Sequence, residues 1–171
     1  MKSITSKYAI ERRNEISKEI TKNWDIIAKY NLTPKNLPSK FKCNYDLKQL
    51  IQTNIELMEE RILLKLYLQC INMGYKKFSE LPKTNNYLNI FTLCERKEYL
   101  FKLNHIPTLD KKLKRTQGKK NLDQIETLTS DYLNGLKKPL ELEIINLQKQ
   151  IDDFNETAEL DIEAPAISLA A

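Results

Sequence analysis

"NYDLKQLIQTNIELMEERILLKLYLQCINMG", residues 44–74, is the stretch on which the fold turns. Leu47, Leu50, Ile51, Met58 and Ile62 return at helical spacing, and the apolar sector widens from Leu63 to Ile71. Asn44 suits an N-cap, because its side chain can accept from an unpaired first-turn N–H. Gly74 suits the left-handed residue that closes a helix. The helix predicted between them has about 29 residues and, at 1.5 Å per residue, forms a rod roughly 44 Å long. Such a rod cannot cover its own apolar face. It needs an antiparallel partner, and the following helix is the nearest candidate.

Upstream, Ile16, Ile20, Trp24 and Ile27 recur at four, four and three, which predicts a helix over Ser6–Tyr30. Arg12, Arg13, Lys18 and Lys22 lie largely off that stripe. The crossing at 31–44 carries Pro34 and Pro38 and reads as loop or extended chain, with Leu37 and Phe41 packing back onto the helices. Downstream, a third helix begins near Thr84 or Asn85 and stops before Pro107. Leu88, Phe91, Leu93, Leu100, Phe101 and Leu103 make it apolar on more than one side, so it belongs between two neighbours. The first three helices make up a core over 1–105, with the second and third as its central pair.

Residues 106–121 form a basic linker that includes Gly118, and a C-terminal helical segment resumes at Leu122 and runs to 155. Gly135 and Pro139 predict a break near 137–139. Beyond it, Leu140, Ile144, Leu147, Ile151 and Phe154 form a heptad seam about two heptads long, suited equally to internal packing and to self-association. Residues 156–171 are an acidic and then apolar tail. The expected fold is all-α: long antiparallel helices in a helical hairpin or bundle with an extended C-terminal tail. No repeat of 20–50 residues stands out, which disfavours a solenoid.

The totals fit one domain of ordinary size, or a small domain with extensions. There are 171 residues, 41% hydrophobic and 30% charged, with three glycines, which favours helix over turn-rich β structure. The net charge of +5 is unevenly spread: no Lys or Arg follows Ile151, so residues 1–151 carry +11 and the last twenty residues −6. The start of the chain has no apolar signal region, and the run "ILLKLYLQCINM" is short and holds Lys65. The expectation is therefore an intracellular or virion-associated protein, neither secreted nor transmembrane. Cys43, Cys70 and Cys94 are odd in number and far apart, which predicts reduced, packed thiols.

Chemistry is hard to place on this chain. His105 is the only histidine and sits at a helix end, where capping suits it. A di-metal carboxylate bundle needs two Glu-x-x-His pairs, and position 102 is Lys. Gly74, Gly118 and Gly135 are isolated, so no phosphate or dinucleotide loop forms. The acid pairs Glu59–Glu60 and Asp152–Asp153 read as solvated faces. The expectation is a non-enzyme with no catalytic residues, cofactor, metal or small-molecule substrate.

Two stretches are left as candidate surfaces. Lys111, Lys112, Lys114, Arg115, Lys119 and Lys120 could track a nucleic-acid backbone, although no aromatic lies among them. The same cations could meet the chain's own acidic tail. In that tail, Leu160 with Ile162 and Ile167 with Leu169 alternate, as in a peptide that docks along a sheet edge or helical groove.

The stretch "TNNYLNIFTLCERKEYL", together with the late "LQKQIDDFNETAEL" and its Ile151, Asn155, Thr157 and Leu160, resembles the septicolysin-type family of small all-helical proteins. That resemblance covers about half the chain. It implies a helical hairpin fold and no activity; the basic linker, Pro139 and the apolar end depart from the family pattern.

The functional expectation is a structural, assembly or adaptor protein of a larger intracellular or phage-like complex, with a protein partner or a second copy docking through helices and tail. Heavy Lys, Asn and Ile usage fits an AT-rich genome such as a bacteriophage's. The competing reading is a nucleic-acid-binding accessory protein that uses residues 111–120.

Overall fold

The computed structural model describes residues 4–36, 38, 44–82, 85–110 and 124–159. Four long helices account for most of them: α1 (Ser6–Tyr30), α2 (Leu47–Asn72), α3 (Tyr87–His105) and α4 (Ser130–Thr157). A two-stranded antiparallel ladder, β1 (Leu32–Pro34) and β2 (Gln124–Glu126), pairs Leu32 with Glu126 and Pro34 with Gln124. Pro34 sits at the strand end, where its missing N–H does least harm. The protein is all-α.

Each helix boundary has a local cause. Thr5 caps α1 by accepting from the Tyr8 N–H, and Thr129 caps α4 by accepting from Tyr132. Asp46 caps α2, accepting from the N–H groups of Lys48 and Gln49. Asn44, the residue expected in that role, lies two positions too early. A carboxylate one residue before Leu47 reaches both free donors. At the other end of α2, Gly74 adopts φ 80°. Gly74 N–H donates to the Ile71 carbonyl and Tyr75 N–H to that of Cys70, the bonding of a Schellman cap. The third helix starts at Tyr87, later than the expected Thr84 or Asn85, with Asn85 accepting from the Tyr87 N–H.

The helices run up, down, up and down. Tyr67 bonds the Ile4 carbonyl, Arg12 meets Glu60 and Asn23 meets Asn54, so α1 and α2 are antiparallel. Lys65 and Arg61 reach Glu95 while Arg61 also reaches Glu98, which reverses α3 against α2. Asn31 bonds both Pro107, just past α3, and Leu128, just before α4, so α4 runs back along α3, where Arg96 meets Glu143. The most extensive packing joins α1 to α2 and α3 to α4. The expected central pair, α2 with α3, is a narrower seam between those two hairpins. Sequence order made α3 the nearest candidate for α2, but the Ile16–Ile27 stripe of α1 covers it more fully.

The core follows the predicted stripes. Ile16, Ile20, Trp24 and Ile27 of α1 are buried with Leu47, Ile51 and Met58 of α2 and Leu103 of α3. Leu128, Leu133 and Leu140 complete it, so α4 shares the same core as residues 1–105. α3 sits between α2 and α4, as its apolar surface on more than one side predicts, although Leu88 and Phe101 face outward.

Two corrections concern the last helix. Residues 124–126 form a strand, so the helix does not resume at Leu122: pairing with β1 captures the chain before Thr129 can cap it. Nor does α4 break near 137–139, since Pro139 lies inside a continuous 28-residue helix. Proline removes the N–H that would bond the Gly135 carbonyl, at a cost of about 3 kcal/mol in a helix interior. Gly135 and Pro139 are both exposed, so water can serve that carbonyl. Leu133 on one side and Leu140 and Ile151 on the other are buried, each worth roughly 1.5–3 kcal/mol. Packing on both sides outweighs the missing bond.

Candidate functional site

The polar centre of the molecule grows from three consecutive residues of α2, Glu59, Glu60 and Arg61. Successive helical side chains point about 100° apart, so three neighbours on the middle helix can address three different surroundings. Glu60 receives two hydrogen bonds of 2.8 Å from the Arg12 guanidinium of α1. Those bonds hold the Glu60 carboxyl below the usual range, against the opposing effect of its partial burial. Glu59 accepts from Arg96 of α3, whose Nε also donates to Glu143 of α4 at 2.9 Å.

Arg61 turns inward. Its Nε and Nη2 donate to one oxygen of Glu95 at 3.0 and 2.5 Å, Nη2 also reaches Glu98 at 2.8 Å, and Nη1 reaches the Ser17 hydroxyl of α1 at 3.2 Å. The other Glu95 oxygen accepts from Lys65 at 2.7 Å. The Glu95 side chain is 1% exposed and that of Arg61 8%. Burial works against the Arg61 charge, but its bonds to Glu95 and the charges of Glu95 and Glu98 more than compensate and raise its pKa. Two cations and two carboxylates thus form a locally neutral cluster, the condition under which buried charge is tolerated.

The Glu59 and Glu60 side chains stay 52% and 42% exposed, in keeping with a solvated face, while each is also tied to a neighbouring helix. Adjacent acids do point apart, and here each direction leads to an arginine on another helix. Glu95 was not singled out from the sequence at all. Its signal was available: an acid flanked by Leu93 and Cys94 on a largely apolar helix, with an unexplained Arg in the apolar sector of α2. Both oxygens of Glu95 are held by cations, which suits a structural tie better than a proton acceptor.

A second buried polar device closes one end of the bundle. Asn31, fully buried, follows the last turn of α1. Its side-chain oxygen accepts from the Leu128 N–H at 2.6 Å, and its amide donates to the carbonyls of Leu128 (3.1 Å) and Pro107 (2.8 Å). One side chain therefore joins the exits of α1 and α3 to the entrance of α4. Asn31 lay unremarked in the Pro-containing crossing, because nothing in a sequence marks which Asn will be enclosed.

Other polar groups are less engaged. Among the described residues, the Tyr99 hydroxyl and the side-chain nitrogens of Asn54 and Asn86 are buried without a hydrogen-bond partner. Burial pushes the Tyr99 phenol up to about 12. Cys70 is buried, and that burial raises its thiol pKa, whereas Cys94 is exposed and departs from the expectation of packed thiols. Cys43 lies outside the described residues. His105 is exposed at the end of α3, with Nδ1 2.7 Å from the Phe101 carbonyl and its ring over that of Phe101 at 4.0 Å. Among the described residues, no group of three or more His, Cys, Asp or Glu is placed to hold a metal ion. No helix among them is long and apolar enough to cross a membrane.

The outer surface offers two features. Along α1 lies a shallow groove of about 700 Å³ where Lys18, Lys22, Lys29 and Asp25 meet Tyr30 and Tyr45. On the opposite hairpin, Ile90 and Phe101 of α3 and Leu142 and Ile145 of α4 are exposed. The basic residues Lys111, Lys112, Lys114, Arg115, Lys119 and Lys120 lie outside the described residues, as do the tail positions Leu160, Ile162, Ile167 and Leu169. The described residues that flank them are placed, however. Gln124 pairs with Pro34 beside the end of α1, whereas Glu159 follows the far end of α4.

Comparison with protein-family models, curated proteins and solved structures gave no match.

Proposed function

We propose that the protein is a non-catalytic assembly or adaptor component of a larger intracellular or viral complex, docking through its helices and its C-terminal tail. The observation that carries this reading is the placement of the two charged segments' anchors. The basic stretch 111–123 enters after Asp110 and leaves into β2, at the end of the bundle where Asn31 sits. The acidic tail leaves α4 at the opposite end, and 28 helical residues at 1.5 Å make that separation about 42 Å. A chain whose basic and acidic segments are anchored at opposite ends is suited to being joined to neighbours. An internal latch would use nearly all of the roughly 50 Å that 14 extended residues can span. The saturated ion network and caps support the same reading, since they leave the helices as rigid spacers.

Removing residues 156–171 tests this. The four-helix core is closed by Leu140 and Ile151, so helicity and solubility should be nearly unchanged. Capture of an outside partner from native extract should fall. Unchanged partners and stability in the truncated chain would sink the proposal. A lower melting temperature with the same partners would instead assign the tail to an internal groove.

One observation favours a second reading, a nucleic-acid-binding accessory protein. The basic segment has no aromatic residue of its own, but the α1 groove sets Tyr30 and Tyr45 beside Lys18, Lys22 and Lys29, on the flank where β1 anchors that segment. Stacking and phosphate contact need that combination. Retention on single-stranded DNA or RNA at rising salt tests it, with charge reversal at Lys111, Lys112, Lys114 and Arg115 and, separately, at Lys18 and Lys22. Salt-sensitive retention lost on both reversals supports it; retention indifferent to either refutes it.

A further inference from the structure

Between Lys138 and Asp152 the outward stripe of α4 is a charge pattern that reads as its own complement. Taking 100° per residue, Asn134, Lys138, Glu141, Leu142, Ile145, Gln148, Lys149, Asp152 and Glu156 all lie within about 60° of Ile145. The buried positions Leu133, Leu140 and Ile151 fall on the other side of the helix. Leu142 is 64% exposed and Ile145 63%, the highest values for large apolar residues among those described. Lys138, Glu141, Lys149 and Asp152 are exposed as well, and none makes an ion pair among the described residues.

A two-fold axis through Ile145 would lay a second α4 antiparallel on the first. Lys138 then stands opposite the second copy's Asp152, and Glu141 opposite its Lys149, each pair occurring twice. A parallel, in-register pairing would set every charge against itself. On the α3 side the stripe is extended by Lys97, which shares a groove of about 480 Å³ with Ile145, Lys149 and Asp152. Ile90, Cys94 and Phe101, spaced four and seven apart, carry the same outward face of α3 and are all exposed.

We infer that this α3–α4 face is the docking surface for a second copy of the chain, joined antiparallel about Ile145. The inference rests on the reading of the protein as an assembly component and names its first partner. The size is adequate. A face about 34 Å long and two helices wide offers roughly 700 Å² per copy, within the range of stable interfaces. An isologous contact of this kind closes after two copies.

Sedimentation of the full chain over a range of concentrations is the test. The wild-type chain should be a dimer at micromolar concentration. Ile145→Lys should be monomeric there with an unchanged circular dichroism spectrum, because the residue it alters is exposed. Lys138→Asp and Asp152→Lys should each weaken the dimer by about tenfold, since each turns two attractive contacts into repulsive ones. The double exchange should recover most of that loss, whatever the effect of each change on the monomer. A monomeric wild type, a dimer indifferent to Ile145→Lys, or a double exchange weaker than either single change would overturn the inference. The tail-truncated chain separates the two proposals: it should still dimerise although it loses outside partners. If it keeps every outside partner while Ile145→Lys abolishes the dimer, the tail reading fails and this one stands.

Discussion

Asn31 and Tyr99 are both buried polar residues, and they should respond oppositely to removal. Asn31 satisfies three backbone groups of the bundle end. Truncating it leaves those groups enclosed without partners, so Asn31→Ala should lose on the order of 2–4 kcal/mol in chemical denaturation. Asn31→Asp should be worse at neutral pH, because a carboxylate would face the Leu128 and Pro107 carbonyls. The gap between the two variants should narrow as the pH falls and the new carboxyl protonates. Tyr99 has the reverse arithmetic: its hydroxyl is buried without a partner. Tyr99→Phe should be neutral or stabilising at pH 7. In the native protein the phenol ionises only near 12, against about 10 in the unfolded chain. Proton release therefore favours unfolding as the pH rises from 10 to 12, and about 2–3 kcal/mol should be lost there. Tyr99→Phe should lack that share of the alkaline loss. Equal alkaline slopes for the two proteins would show that Tyr99 is not enclosed as described.

Among the elements, α4 holds the largest conflict between local preference and packing. Gly135 and Pro139 both disfavour a helix, and the helix passes through them because Leu133, Leu140 and Ile151 are buried on either side. A Cβ at Gly135 would meet nothing within 4 Å. Gly135→Ala should accordingly stabilise the protein by about 0.5–1 kcal/mol. Pro139→Ala restores an N–H for the Gly135 carbonyl and should add roughly 1–3 kcal/mol. Thermal melts of the two variants check both values. A fall in melting temperature for each would mean that α4 depends on its proline at this point. The same element explains why a break was expected: a proline's cost is local and visible in sequence, while the burial that outweighs it is not.

For the whole molecule, the cluster around Glu95 decides how two helical hairpins are held in one register. Glu95→Ala would leave Arg61 buried and without its main partner, a loss of about 3–5 kcal/mol. Replacing Arg61 and Glu95 together, by Met and Leu, should recover most of that stability. If the double variant is as unstable as Glu95→Ala, the charges contribute more than their mutual satisfaction. If it is stable but its melt broadens, the ion pair serves to select one alignment of the hairpins. Denaturation curves and proton spectra of the three proteins distinguish these outcomes.

The sequence by itself determined that this protein is helical, where α1 begins and ends, that Gly74 closes α2, and which stripes of α1 and α2 are buried. Those features rest on interactions three to five residues apart, and residue order contains them. Only the tertiary structure decided that α1, and not α3, is the main partner of α2, that 124–126 pairs as a strand with 32–34, and that α4 runs unbroken through Pro139. It also tied Glu59 and Glu60 to arginines on neighbouring helices, buried Glu95 against Arg61 and Lys65, and made Asn31 the closure of one end. Each of these depends on groups far apart in the chain, about 30 to 97 residues, whose meeting is set by how four apolar faces share one core. A side chain's chemistry is written in the sequence, but its partner is chosen by packing.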